Sequence, residues 1–330
     1  ELFVYSYNAA TDTWTQIPFQ FDKYDDTTER FHTPQAGDLL KENDEFVFMA
    51  RDMGDQAPDG SFWIDDAVSK NYPRAEIVAT DGAQTAYAYV YRSTTITRSP
   101  ETYVTYLPAA GGDGQDEIIA QTYTEGHNEY AIPVEWTLPD GTGEDILDRQ
   151  KMRIILNEIP FFGSLPVTEE ILEDSFDKIT VRDGPIRILR EVTWILDLSA
   201  LGYDIIEFDL PLQYYPYNIN SEGVSGTLTA DLHVSHIRQS FDLNPNAVGM
   251  TYYNPFNTAG IQITGAGNDK GIDNTIVDPP GTNWFMFTGE QGTYTFIFKA
   301  PVLGNSRTLY FWESQSSTAG DGTSDTGDFK

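Results

Sequence analysis

Alternation of apolar and polar residues over two nearby stretches constrains the fold of this chain more than any other feature. In an extended strand, successive side chains point to opposite sides, so every second residue shares a face. In residues 186–196 one such row is almost entirely apolar: Ile186, Ile188, Val192, Trp194 and Leu196. Residues 206–214 repeat the pattern with Ile206, Phe208, Leu210, Leu212 and Tyr214. The connection between the stretches is too short for a crossover helix, which predicts an antiparallel pair. We expect Ile188, Trp194, Phe208 and Leu210 to lie in one core.

The rest of the chain has the same character. Short alternating runs are separated by turns rich in Gly, Asn and Asp, and a helical period is almost absent. This pattern predicts an all-β fold, a large antiparallel β-sandwich with little helix. The best helix candidate is residues 168–173, with Thr168 as the N-cap and acidic residues in the first turn.

The domain organisation follows from the absence of a long internal linker. We expect residues 1–313 to form a single large β-sandwich domain, with a break near residue 140 as the alternative. Residues 314–330 are small and polar, and they lack the apolar surface needed to order themselves. They are predicted to form a flexible C-terminal tail.

Charge and composition exclude several classes of protein. The net charge of −31 repels phosphates and anionic lipid, and no apolar run reaches the length of a membrane helix, so we expect neither nucleic-acid binding nor membrane insertion. The chain has no cysteine, which excludes disulfides and thiolate chemistry. Its acidity and its start at Glu1, without an initiator Met, favour an exported protein that is extracellular or attached to the cell surface.

Three segments carry a resemblance to a known group of proteins. They are Ile-Pro-Phe-Gln-Phe-Asp at 17–22, Asn-Asp-Glu-Phe-Val-Phe-Met-Ala at 43–50, and Asp-Gly-Pro-Ile-Arg at 183–187. These segments resemble exported bacterial β-supersandwich domains, some of them uncharacterised and some close to rhamnogalacturonan-lyase-like proteins. In those domains an I-P-x-Q-x-D strand precedes a D-E-x-V-F strand, and a G-P-x-R strand opens the central sheet. The resemblance implies a large two-sheet β-domain with a link to carbohydrate biology, and it assigns no catalytic residue.

Residues that could carry catalysis form no recognisable signature. The sequence lacks a nucleophile elbow, a phosphate loop, a dinucleotide fingerprint and a His-Glu-x-x-His motif, and it contains only four histidines. A pair of glycosidase carboxylates is defined by spatial separation, which the sequence does not give. We therefore predict no catalytic residue and favour a non-enzymatic role, with an enzyme left open.

Arg190 and several aromatic residues are the candidates for ligand binding. Arg190 interrupts an apolar row, so it either pairs with a carboxylate, the commoner outcome, or lines a cleft. The aromatic candidates are Tyr214, Tyr215, Tyr217 and Trp284. Exposed aromatic side chains stack on sugar rings or on partner chains, whereas the alternative for residues at strand ends is ordinary packing.

Loops rich in Asp and Gly are candidates for calcium binding. Calcium takes six to eight oxygen ligands, and such loops supply carboxylate and carbonyl oxygens. The predicted ligands are Asp269, Asp273, Asp321 and Asp325. The alternative is a plain β-turn, because Asp, Asn and Gly are also the preferred turn residues.

Two classes of function remain on this evidence. The first is an extracellular, non-catalytic structural or binding protein, of the surface-layer, adhesin or filament-subunit type, that self-associates into a homo-oligomer or filament or binds a cell-surface polysaccharide. The alternative is a carbohydrate-active enzyme, a polysaccharide lyase or glycoside hydrolase, or a carbohydrate-binding protein.

Overall fold

The chain folds into two compact units, each assembled from segments that are not adjacent in sequence. Unit 1 comprises Glu1–Thr105, Val181–Leu189 and Gln213–Asn218, and unit 2 comprises Tyr106–Thr180, Arg190–Leu212 and Ile219–Lys330. The computed structural model describes residues 1–28, 30–35, 37–58, 63–109, 115–159, 163–199, 206–221, 225–226, 233–265, 274–276, 283–297, 307–309 and 311. The predicted tail, residues 314–330, lies outside the described residues, and the single domain stays a prediction.

Strands dominate the described part of the chain. They make up 53% of it and helix only 7%, which confirms the prediction of an all-β, sandwich-like fold. The first strands are β1 (Leu2–Asn8), β2 (Thr13–Gln16), β3 (Gln20–Asp25), β4 (Arg30–His32), β5 (Glu45–Val47), β6 (Ala75–Asp81) and β7 (Gln84–Arg92). In unit 1, one sheet has the order β2, β1, β7, β6 and another the order β4, β3, β5, with every pairing antiparallel.

The later strands complete the fold. They are β8 (Val104–Leu107), β9 (Glu117–Ala120), β10 (Thr124–His127), β11 (Pro133–Thr137), β12 (Leu147–Ile159), β13 (Gly163–Thr168), β14 (Phe176–Arg182), β15 (Ile188–Leu196), β16 (Ile206–Tyr214), β17 (Ile219–Ser221), β18 (Ser225–Gly226), β19 (His233–Leu243), β20 (Thr251–Asn254), β21 (Asn257–Gln262), β22 (Asn274–Ile276), β23 (Trp284–Gly289), β24 (Gly292–Ile297) and β25 (Arg307–Leu309). The sheet orders are β11-β10-β9-β8, β13-β12-β19, β21-β20-β23-β24, β22-β25 and β14-β15-β16-β17, with β18 also on β16. The two stretches singled out from the sequence are therefore neighbouring strands.

The first hairpin shows how local chemistry sets a strand boundary. The side-chain oxygen of Asn8 accepts the backbone N–H groups of Ala10 and Thr11 at 3.0 and 3.1 Å, which closes the turn between β1 and β2. The alternation of Ile17, Phe19 and Phe21 predicts one strand over residues 14–22, lying at an edge or bulged at Pro18, and this is wrong, because β2 ends at Gln16 and β3 begins at Gln20. The chain leaves the first sheet after β2 and enters the second at β3, because Pro18 has no N–H to donate to a ladder.

The predicted helix is present as a single short element. Helix α1 (Glu169–Asp174) begins directly after Thr168, as the acidic first turn indicates. The Thr168 side chain makes no capping hydrogen bond, so the fit of α1 to its surroundings, rather than the cap, fixes its start. Among the described residues, no helix has the length and apolar character that a membrane span requires.

The core of unit 2 forms around β15. Val192, Trp194 and Leu196 are buried in one apolar cluster, and Leu210 of the neighbouring strand packs against it. Ile188 is also buried but belongs to unit 1, and the side chain of Phe208 lies outside the described residues. The alternation in the sequence therefore identified the buried face of β15 correctly.

Candidate functional site

The predicted tyrosines lie together in unit 1 but differ in exposure. Tyr214 is fully buried at the end of β16, Tyr215 is half-buried, and Tyr217 is 45% exposed. Packing accounts for Tyr214, whereas Tyr217 presents its ring to solvent. The remaining aromatic candidate, Trp284, is half-buried at the start of β23 in unit 2.

Tyr215 belongs to a hydrogen-bonded network centred on Asp22. Its hydroxyl accepts Nη1 of Arg187 and donates to Oε1 of Gln213, both at 3.0 Å. Arg187 also donates through Nε to Asp22 at 3.0 Å and forms an ion pair with Glu45. Burial by itself lowers the pKa of Arg187, but the Tyr215 hydrogen bond and the charge of Asp22 outweigh it and raise that pKa above its usual range. Arg187 therefore stays a cation inside the fold.

Asp22 has no solvent exposure, accepts hydrogen bonds from the side chains of Gln20 and Arg187, and forms an ion pair with Arg182. Nε of Arg182 lies 2.8 Å from one carboxylate oxygen and Nη2 of Arg187 lies 2.9 Å from the other. The amide of Gln20 donates to both oxygens, while its own oxygen accepts the backbone N–H of Arg187 at 2.9 Å. Since a buried charge is tolerated only when it is paired and hydrogen-bonded, this network holds the segments together. We call these residues the Asp22 network.

The Asp22 network unites the three segments that carry the sequence resemblance. Gln20 and Asp22 come from the first segment, Glu45 from the second and Arg187 from the third. Gly184 of the third segment leaves room for the Gln20 amide, which a Cβ at this position would push out of the network. These residues thus have a structural role in this chain, because they link β3, β5 and the start of the third segment.

A cluster of cationic and aromatic groups in unit 1 is exposed at Arg51 and Tyr217 and buried at Tyr103. The guanidinium of Arg51 lies 4.6 Å from the ring centroid of Tyr217 and 4.7 Å from that of Tyr103. The Tyr103 hydroxyl donates to Asp52 at 2.9 Å, and burial together with this bond raises the pKa of Tyr103 to about 12. We call Arg51, Tyr103 and Tyr217 the tyrosine–arginine patch. A cation sandwiched between aromatic faces is held by its attraction to both rings.

Unit 2 contains a second buried network, which includes the candidate Arg190. Nε and Nη2 of Arg190 donate to the two oxygens of Asp116 at 2.9 and 2.8 Å, so the expected pairing with a carboxylate is confirmed. Nδ1 of His127 lies 2.9 Å from Asp116, and its Nε2 lies 3.1 Å from Glu125. The indole N–H of Trp136 donates to Glu125 at 2.8 Å. We call this set the Asp116 network.

A histidine between two carboxylates is an arrangement used for proton transfer, but burial decides its role here. The side chains of His127, Asp116 and Arg190 have no solvent exposure and that of Glu125 only 5%. A general acid or base must reach the proton it transfers, directly or through one water. Burial pushes the pKa of Asp116 up, but hydrogen bonds from His127 and Arg190 prevail and hold it well below its usual range. The network therefore acts as a cross-link between strands.

Sequence reasoning identified Arg190 but missed its partners. Asp116 follows a stretch rich in Asp and Gly, a pattern that suits a calcium loop or a turn, and does not itself indicate pairing with Arg190. A usable signal does exist, because Glu125 and His127 are two apart in β10 and so share one face of a strand. A charged residue and a histidine on one strand face predict a buried polar partner when that face is covered.

The predicted calcium ligands cannot be placed in the fold. Asp269, Asp273, Asp321 and Asp325 all lie outside the described residues. Within the described ranges, the structure brings together no group of three or more His, Asp or Glu side chains able to hold a metal ion. Calcium binding through these loops stays a prediction.

A surface cavity of about 730 Å³ lies beside β3 and the loop that follows β4. The loop is held by Asp44, which pairs with Lys23 and accepts the backbone N–H groups of Tyr24 and Lys41. Burial raises the pKa of Asp44, but these donors outweigh it and lower the pKa to about 2. Leu39 at the tip of this loop is 82% exposed, although its carbonyl is anchored by Lys23.

Two carboxyl groups in unit 2 are shifted in the opposite direction. Burial raises the pKa of Glu135, and the charges of Asp145 and Glu117 raise it further. Burial also raises the pKa of Asp145, against the hydrogen bonds from the backbone N–H groups of Trp136 and Leu147. Both groups are thus easier to protonate in the folded chain than in the unfolded chain.

These opposite shifts predict a stability maximum on the acidic side of neutrality. The lowered pKa values of Asp44 and Asp116 stabilise the fold above about pH 4, and that contribution is lost as the pH falls further. The raised pKa values of Glu135 and Asp145 favour the fold at low pH, and that contribution is lost as the pH rises through them. Tm measured against pH should therefore be higher near pH 4, the ordinary pKa of a carboxyl group, than at neutral pH, and it should fall again below about pH 4.

The variant Glu135→Gln tests the part of the pH profile between neutral and mildly acidic pH. Since glutamine does not titrate, the rise in Tm between neutral and mildly acidic pH should be smaller in the variant, while the fall below about pH 4 should persist. A Tm that increases steadily up to pH 8 in the unmodified chain would contradict the prediction.

The described part of the chain thus contains the buried Asp22 and Asp116 networks and the tyrosine–arginine patch, which reaches the surface at Tyr217. Comparison of this chain with models of known protein families gives no match, and comparison with curated proteins gives none either.

Proposed function

We propose that this chain is an extracellular or cell-surface protein of the structural or binding kind, non-catalytic, that works by associating with copies of itself. The observation that carries the proposal is strand β6. It lies at the end of its sheet, and six of its seven residues are exposed, including Val78 at 51%. An exposed edge strand is a template for pairing with another chain. Strand addition at such an edge is how this chain would act as a surface-layer, adhesin or filament subunit.

The disposition of charge is in keeping with this role. Several side chains of the types that enzymes use in catalysis are held in buried ion pairs. They are His127 with Asp116, Arg190 with Asp116, and Arg187 with Asp22. The net charge of −31 opposes contact between copies at low ionic strength. Salt shortens the reach of that repulsion, from about 30 Å at 0.01 M to about 8 Å at 0.15 M. Self-association is therefore expected to depend on the ionic medium.

Sedimentation velocity across a salt and divalent-cation series tests the proposal. We expect the chain to be mainly monomeric at about 0.01 M ionic strength and to form larger species as sodium chloride approaches about 0.5 M, because screening removes the repulsion. A calcium arm and a magnesium arm at matched ionic strength separate screening from specific calcium binding. A chain that stays monomeric in every arm at high protein concentration would overturn the proposal.

A second candidate function is favoured by the tyrosine–arginine patch. An exposed tyrosine ring held against a guanidinium presents a flat surface with polar edges, which suits stacking on a sugar ring. This candidate is a carbohydrate-binding protein or a carbohydrate-active enzyme, in agreement with the sequence resemblance. Binding to a polysaccharide panel that is lost in Tyr217→Ala and kept in Ile297→Ala, a change at an exposed residue outside the patch, would favour this candidate over self-association.

A further inference from the structure

Strand β6 is held on one side only. All its residues from Ala75 to Asp81 pair with β7, and among the described residues no strand pairs with its other edge. A two-residue turn, Gly82 and Ala83, joins the strands, and Gly82 has the positive φ of 58° that such turns require. The register of β6 against β7 is therefore fixed by the turn.

That register determines which backbone groups point outward. In a two-residue hairpin, the pair next to the turn, Asp81 and Gln84, exchanges hydrogen bonds, and the pattern then alternates along the strand. Residues 75, 77, 79 and 81 consequently direct their N–H and C=O groups towards β7. Glu76, Val78 and Thr80 direct theirs away from it, and all three are exposed. Three residues at the free edge thus offer backbone donors and acceptors to a partner.

We infer that this free edge pairs with β6 of a second copy, antiparallel, about a two-fold axis at Val78; the inference rests on the proposed self-association. An antiparallel pairing must match outward residues with outward residues. Centring it on Val78 uses all three, with Val78 opposite Val78 of the partner and Glu76 opposite Thr80 of the partner. If the register between the two strands shifts by two residues, one of the three outward residues no longer faces an outward residue of the partner's β6.

Charge also suits this register. The charged residues of β6 are Glu76 and Asp81, and in the Val78-centred pairing they face Thr80 and Ala75 of the other copy. No carboxylate lies directly opposite another, which would be destabilising in a ladder. In a chain with 51 acidic and only 20 basic residues, a segment that meets itself without opposing charges is a suitable contact surface. The partner that best fits this edge is therefore β6 of a second copy of the chain.

A single cysteine reports this geometry directly, because the chain has none of its own. In the proposed pairing the two residues at position 78 form a hydrogen-bonded pair with Cα atoms about 5.5 Å apart, within the range for a disulfide of about 4.4–6.8 Å. Val78→Cys should give a covalent dimer under mild oxidation at salt concentrations that favour association. Val248→Cys, at a residue of similar exposure (44%), is the matched control and should give little dimer.

Charge variants at the same position test the contact without a cross-link. Val78→Asp places like charges across the two-fold axis and should weaken association at least about tenfold, as Val78→Lys should. An equimolar mixture of the two variants should recover association, since opposite charges then face each other. Recovery on mixing is not expected from a loss of folding in either variant.

The outcomes separate the inference from the proposed function. If the unmodified chain associates with salt but Val78→Asp associates equally well and Val78→Cys gives no more dimer than Val248→Cys, the β6 contact is wrong and self-association uses another surface. If the unmodified chain does not associate at all, the proposed function fails as well. Dimer from Val78→Cys together with recovery in the mixture would support both.

Discussion

Replacing Arg190 with alanine is expected to lower the free energy of unfolding by about 3–5 kcal/mol. The substitution removes both donors to Asp116 and leaves a carboxylate with no solvent exposure to be held by His127 alone. A buried charge that loses its partner costs far more than an exposed one, because water cannot replace the lost interaction. Chemical denaturation followed by tryptophan fluorescence measures the change.

Two further variants make this prediction specific. Lys178→Ala removes a cation that is 49% exposed and lies 3.7 Å from Asp177, and it should change stability by less than about 0.5 kcal/mol. Arg190→Met combined with Asp116→Leu removes both charges, and it should cost less than the sum of the two single changes. If Arg190→Ala is as mild as Lys178→Ala, the Asp116 network does not stabilise the fold.

Replacing Trp194 with alanine is expected to destabilise the chain by about 3–5 kcal/mol. The indole is 6% exposed and packs in the apolar cluster that includes Val192 and Leu196. Removal of so large a side chain combines the loss of apolar burial with the cost of the cavity that remains. The free energy of unfolding from urea titration is the appropriate measurement, because one apolar substitution should leave the slope with denaturant unchanged.

A conservative change at Trp194 separates the loss of apolar volume from the loss of the indole N–H. The indole N–H is buried without an acceptor among the described residues, so Trp194→Phe removes a polar group that gains nothing from the fold. We expect this variant to cost clearly less than Trp194→Ala. Ile297→Ala, at a residue that is 64% exposed, serves as the surface control and should change stability by less than about 0.5 kcal/mol. Equal losses for Trp194→Ala and Ile297→Ala would contradict the burial of the indole.

Local patterns in the sequence were sufficient for the secondary structure near β15 and α1. The alternation of residues 186–196 identified the face that buries Trp194, and the acidic residues after Thr168 identified the start of the helix. Both are properties of a single segment, and the period of a strand or a first helical turn appears within a few residues. The break after β2 was harder to predict, because Pro18 is compatible with either an edge position or a change of sheet.

The candidate sites depended on contacts that no single segment contains. Arg187 is 165 positions from Asp22, and Arg190 is 74 positions from Asp116. A carboxylate that pairs with a buried arginine has no local signature in a chain with 51 acidic residues. The exposure of Tyr217 beside fully buried Tyr214 was likewise beyond prediction, because it is determined by how the chain leaves β16.

Unit 1 is built from three segments separated in sequence by segments of unit 2, so its early part depends during synthesis on residues that are made later. Asp22 emerges early, but the arginines that neutralise it are at positions 182 and 187, and the last segment of the unit ends at Asn218. The segment that holds Asp22 therefore cannot bury this carboxylate in its ion pairs until the segment that contains Arg182 and Arg187 has been made. Contacts so distant in sequence slow folding and prolong the exposure of unpaired strands. A fragment ending at Thr105 would lack Arg182 and Arg187, the partners that allow Asp22 to be buried.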